Sequence, residues 1–256
     1  MGHPSLTIAR YTLLEALRTR LLWLTALALL TLLAGSAFVQ QLAIAEGVRF
    51  QTAFLAATAR PAAVFLIALY VISSMAREFH DKGVELILAL DLSRASFVLG
   101  KLAGFAALAV FFAVASCLPV ALFAPLGKAL LWGVSLLCEL WIIAALSLFC
   151  AVTFSQVVPA SSFVLGFYLL ARSISALQLI GGSALLDDGS RLHQAMLGAL
   201  NALALALPHL DTFTRTAWLV NPGADWGQIA PILLQTLIYC GILAAATLFD
   251  MYRRNF

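Results

Sequence analysis

The chain has 256 residues, 63% hydrophobic and only 11% charged, with a mean hydropathy of +1.01. Soluble domains carry about 25% charged residues, so this composition excludes a soluble globular protein. The net charge of +3 decides little by itself, because the placement of Lys and Arg along a membrane chain matters more than their sum.

Residues 5–20 read as an amphipathic helix. Leu6, Ala9, Leu13, Ala16 and Leu17 share one face and Thr7, Arg10, Glu15 and Arg18 the other, with Pro4 and Ser5 as start signals. A basic helix of this kind leading into an apolar run is expected to lie in the membrane interface, apolar side down. The competing reading is a solvated extension of the first span.

Six apolar stretches follow, at residues 21–41, 58–76, 98–122, 129–153, 160–180 and 229–250. A helix rises about 1.5 Å per residue and a hydrocarbon core is about 30 Å thick, so each is long enough to cross. The first begins late and reads as a full span rather than a cleaved leader. With the N-terminus inside, Arg10, Arg18, Arg20, Arg77, Lys82, Arg94, Lys101, Arg253 and Arg254 are cytoplasmic. Arg49, Arg60, Lys128, Arg191 and Arg215 lie on the other side. The bias predicts two cytoplasmic termini.

The loop after the second span holds the densest polar cluster: Arg77, Glu78, His80, Asp81, Lys82, Glu85, Asp91 and Arg94. Glu78, Lys82 and Glu85 are spaced for one helical face, and Phe79, Leu86 and Leu90 for another. A short amphipathic helix over residues 78–92 is expected, with Ser93 as N-cap of the next helix. Short links around Pro125 to Lys128 and Ser155 to Pro159 make spans three to five antiparallel neighbours. Span five carries Arg172, taken as the only intramembrane charge, with Tyr168 one turn before it. Such a charge either faces protein or water, or snorkels to an interface.

The segment 181–228 is the longest extracytoplasmic piece. It contains an apolar stretch from Ala195 that stops at Pro208, too short to span and suited to a re-entrant or interfacial helix. A seventh span would put Arg253 and Arg254 outside, against the charge rule.

Catalytic signatures are missing. No G-x-x-x-x-G-K-[ST] cradle, G-x-S-x-G elbow or H-E-x-x-H helix occurs, so an enzyme is not expected, and any ATP must be bound by another chain. Cys117, Cys138, Cys150 and Cys240 fall within spans, form no C-x-x-C pair and read as packing residues. His193 and His209, with Asp187, Asp188 or Asp211, have no recognised metal-ligand spacing. No basic stripe with interleaved aromatics suggests nucleic acid.

The loop sequence carries a resemblance. Glu78, Gly83 with Glu85-Leu86, Ser93-Arg94 and Gly100-Lys101 occur in the order found in the cytoplasmic loop of ABC-2-type transporter permeases, although Leu92 stands where that family usually has Pro. Leu207-Pro-His-Leu-Asp-Thr-Phe213 and the Arg-rich tail from Phe249 are similar to the branch that includes the nitrous-oxide-reductase maturation permease. The resemblance implies an all-α integral membrane permease subunit of an exporter in a bacterial inner membrane. It implies a second permease copy, as a homodimer, and two copies of a separate ATPase that binds ATP and Mg, with no cofactor in this chain. Residues 78–92 would be the coupling helix, with Glu78, Phe79, Asp81, Lys82, Gly83, Glu85, Leu86 and Arg94 at the ATPase and residues 5–20 as the connecting helix beside it. Tyr168 and Arg172 would border the substrate path. The alternative is a membrane assembly or anchoring factor of a maturation or secretion machine, with no transport of its own.

Overall fold

A computed structural model describes residues 4–42, 46–81, 93–182, 191–221 and 226–253. Among them are nine α-helices: α1 (Pro4–Arg18), α2 (Leu21–Leu42), α3 (Gly47–His80), α4 (Arg94–Ala121), α5 (Leu126–Phe154), α6 (Val157–Gly181), α7 (Arg191–Ala206), α8 (Ala217–Val220) and α9 (Ile229–Arg253). Six of these, α2 to α6 and α9, are long and apolar enough to cross a membrane. The chain is a multi-pass, all-helical membrane protein.

The bundle is organised around α5, which packs against α3, α4, α6 and α9. The central windows of α5 and α2 are similarly apolar, yet 78% of the first is buried against 11% of the second. Position, not composition, decides which helix forms the core, since lipid tails are as apolar as leucine. Trp132, Leu136, Leu140, Ile143 and Cys150 of α5 are fully enclosed. Trp141 ties α5 to α4 by donating to the Ala106 carbonyl at 3.2 Å. By contrast α2, α6 and α9 turn most of their apolar surface outward.

One end of the bundle gathers α1, Arg77, Arg94, Lys101 and Arg253 and is termed here the basic end; the other is the distal end. Ser93 caps α4 as its sequence position predicts, its Oγ accepting from the Ser96 amide at 3.2 Å. At the α5–α6 corner Ser155 adopts a left-handed conformation with φ of 56° and donates its amide to the Ala151 carbonyl at 3.1 Å. That closes the last turn of α5 and reverses the chain.

Helix α1 is amphipathic, and its inward face is the predicted one except that Leu6 is excluded and Thr12 included. Thr12 and Ala16 are buried, whereas Leu6 is 71% exposed. The reason lies in the partner. Gly100 and Gly104 form a G-x-x-x-G stripe on α4, and a Cβ at either would stand 2.8 Å from α1, against the Ser5 carbonyl and the Thr12 Cβ respectively. Small residues let the two backbones touch, so the small face of α1 goes inward and Leu6 is left to lipid.

Helix α3 is longer than the span read from sequence. Arg49 falls within it rather than in a loop, pairing with Glu46 at 2.8 Å. Hydroxyls inside the spans are mostly satisfied by their own helix: Thr25, Thr52, Thr58, Ser173, Thr236 and Thr247 each donate to the carbonyl four residues back, at 2.6–2.8 Å.

The segment after α6 forms a bent pair, His193–Ala206 and Leu210–Val220, meeting at 65°. The bend falls at Pro208, where the sequence places the stop. Leu210 and Phe213 have no exposed surface, so the chain beyond the bend dips into the bundle and the pair reads as re-entrant. Replacing Gly100 or Gly104 by Val is expected to destabilise the protein by about 1–3 kcal/mol through overpacking. Gly127→Ala, where an added Cβ meets nothing within 4 Å, is expected to be neutral; thermal melts in one detergent provide the comparison.

Candidate functional site

Two polar constellations interrupt the apolar bundle. The first lies in its distal half. Arg60 stands about 25 Å along α3 from Arg77. Glu139 is about 22 Å along α5 from Phe154, and Arg172 about 22 Å along α6 from Val157, at ~1.5 Å per residue. Three helices thus deliver three ionisable groups to one level.

Glu139 corrects the sequence reading that Arg172 is the only intramembrane charge. It sits in the middle of α5 with no solvent exposure, and the apolar residues around it hid it from a scan for charge-free stretches. Arg172 Nη1 lies 4.0 Å from Glu139 Oε1, and Tyr168, itself buried, faces Glu139 and Arg60. Of the two readings of Arg172, the inward one holds. Its guanidinium donates to the carbonyls of Leu210 and Phe213, the latter at 3.0 Å.

Thr214 is the keystone. It is fully buried and left-handed, with φ of 43°, a conformation costing a non-glycine residue about 1–2 kcal/mol. All three of its polar groups are used. The amide donates to Ser135 Oγ at 2.9 Å, the carbonyl accepts from Arg60 Nη1 at 2.8 Å, and the hydroxyl donates to Glu139 Oε2. The layer therefore grips the re-entrant backbone from α3, α5 and α6 together. Arg60 Nε and Glu139 Oε1 keep buried hydrogen-bonding capacity without a partner, a feature tolerated more readily at working sites than in inert cores.

The second constellation is at the basic end. Glu78, expected on an exposed coupling helix, lies in the last turns of α3, with its side chain only 20% exposed and ion-paired to Lys101 of α4, itself 5% exposed. Glu15 of α1 meets Arg77 at 3.5 Å. Arg94 donates to the carbonyls of Met251 and Tyr252 at 2.8 and 3.2 Å, capping the end of α9, while Thr153 donates to Asp250 at 2.7 Å. Phe79 is half-buried and His80 and Asp81 are exposed. With Ser73, Arg77 and the Ser155–Val157 corner they border a groove of about 600 Å³. Lys82, Gly83, Glu85 and Leu86, and most of the 78–92 helix with them, lie outside the described residues.

His193 is buried and His209 exposed. Asp187 and Asp188 are outside the described residues, among which no three His, Cys, Asp or Glu side chains group closely enough for a metal. Compared with known proteins, the chain matches no family profile and no curated protein.

Arg172→Met is expected to destabilise the protein by about 3 kcal/mol, because it strands a buried carboxylate. Adding Glu139→Gln recovers part of that loss, so the double mutant is less damaged than the sum of the singles; chemical unfolding of the four proteins measures the coupling. At the basic end, Glu78→Lys and Lys101→Glu singly are expected to lower the melting temperature and the exchanged pair to restore most of it.

Proposed function

We propose that the chain is the permease subunit of an ATP-driven exporter, acting as a homodimer in a bacterial inner membrane with two copies of a separate ATPase that holds ATP and Mg. In this reading the basic end is cytoplasmic, both termini are cytoplasmic, and residues 78–92 dock on the ATPase.

The observation that carries the reading is the mechanical unity of the basic end. In the sequence α3 leads into residues 82–92 and α4 follows them, and the helix ends on both sides are braced, Arg77 by Glu15 and Glu78 by Lys101. Lys101 joins those two helices, the glycine stripe clamps α1 to α4, and Arg94 holds α9. A push on the loop would reach α1, α3, α4 and α9 together as rigid levers. A loop that only set topology would have no need of such bracing. The groove beside Phe79 and Asp81 offers an apolar anchor with a charged rim, the composition that suits a soluble partner.

Support at the distal end is of a different kind. A buried charged layer that holds one re-entrant segment gives a membrane protein two alternatives, held or released, at the level where a path would open. Tyr168 and Arg172 border that path, and Arg172 acts by holding the carbonyls of Leu210 and Phe213. The resemblance of the loop motifs adds to the reading, and the lack of a nucleotide cradle in the sequence requires the ATPase to be a partner.

Co-purification from the native membrane in mild detergent tests it. A Walker-motif ATPase is expected in equal stoichiometry with the wild-type protein, and in less than about a tenth of that amount with Asp81→Arg plus Glu85→Arg, a variant that keeps both Glu78 and Lys101. Recovery of no ATPase from the folded wild type, or undiminished recovery with the variant, would refute the assignment.

A further inference from the structure

A second cavity, at the distal end, takes no part in either constellation. It encloses about 350 Å³ between the re-entrant segment and α9, with Arg215, His209 and Trp218 on one side and Gln228, Ile232 and Gln235 on the other. From Gln228 to Gln235 it runs about 10 Å down α9, from the helix end to the level of the apolar span.

Its lining is mostly hydrophobic, with a few polar groups placed along one line. Trp218 is 6% and Ile232 3% exposed and they form the wall. Arg215 is exposed near the mouth. Among the described residues no carboxylate lines the cavity; Asp211 turns inward, its Oδ1 buried. Gln235 is a polar side chain in an apolar helix, and among the described residues its amide has no hydrogen-bond partner. An amide unanswered at membrane depth is costly unless a ligand supplies the partner. Beside the cavity α9 presents Leu234 and Ile238, 61% and 51% exposed, to the surrounding lipid.

From this sequence of cation, amide donor and greasy flank, we infer that the cavity binds an acidic phospholipid of the distal leaflet. The phosphate meets Arg215, an ester carbonyl accepts from the Gln235 amide, and an acyl chain lies along Leu234 and Ile238. A zwitterionic lipid brings an ammonium group toward Arg215 and is disfavoured. This inference is independent of the exporter reading, since it concerns neither the basic end nor an ATPase.

Trp218 supplies the readout. The full chain is reconstituted in bilayers doped with acyl-brominated phosphatidylglycerol or, separately, acyl-brominated phosphatidylcholine, and tryptophan quenching is titrated. The Trp218 share is the part lost in Trp218→Phe. That share is expected to show about fivefold preference for phosphatidylglycerol, in line with one arginine near a phosphate. Arg215→Gln is expected to abolish the preference and Arg49→Gln to leave it intact. Gln235→Leu should weaken quenching by both lipids. Equal quenching by the two lipids in the wild type, or loss of preference in Arg49→Gln, would overturn the inference. So would displacement by millimolar glycerol phosphate, which would mark a site for free anions.

Discussion

A carboxylate with no water contact in the middle of a helical bundle has to be answered by donors and cations within a few ångströms, and Glu139 imposes that requirement on everything around it. In a medium of low dielectric the alternative is several kcal/mol of unrecovered desolvation. Arg172 comes from α6, Arg60 acts through the Thr214 carbonyl, and the Thr214 hydroxyl reaches the carboxylate directly. Because Thr214 belongs to the re-entrant segment, the requirement of one side chain on α5 fixes the path of a chain piece distant in sequence. The left-handed backbone at Thr214 is the local strain that this arrangement sustains.

Away from that layer the bundle relies on shape. Around α5 the core is packed with Trp132, Phe105, Phe112 and Ile67, none more than 1% exposed. The outer helices α2, α6 and α9 contribute far less burial. They leave wide apolar faces to the bilayer. At the basic end, salt bridges and glycine contacts join neighbouring helices, so the two ends of the protein are held by different means: one by a single charged layer, the other by a set of short ties.

The spans, the Ser93 cap, the Pro208 stop and the re-entrant segment were legible because each depends on local rules of length, capping and proline chemistry. Where reading failed, tertiary structure had intervened. Glu139 was passed over because one acidic residue scarcely disturbs a long apolar run, although its rarity at that depth was itself the signal. The start of α3 is hidden from the sequence because Arg49 breaks the apolar pattern ahead of residue 58, yet it is answered by Glu46, as Arg60 within the span is by Thr214. Glu78 looked exposed by helical spacing, and only the approach of α4 brings Lys101 to it. On α1 periodicity places Ala9, Leu13, Ala16 and Leu17 inward as found, but it ranks Leu6 above Thr12, whereas the glycines of α4 select by size.

The hydroxyls that bond back along their own helices bear on how such a protein is made. A Thr whose proton is given to the carbonyl four residues earlier needs nothing from a neighbour, so α2, α3 and α9 can each enter the bilayer from the insertion machinery with few dangling polar groups. Their later association then costs little hydrogen-bond exchange. Glu139, Arg60 and Arg172 behave differently: none finds its partner within its own helix. Biogenesis of this chain is accordingly completed late, when the segment carrying Thr214 arrives and the charged layer closes over it.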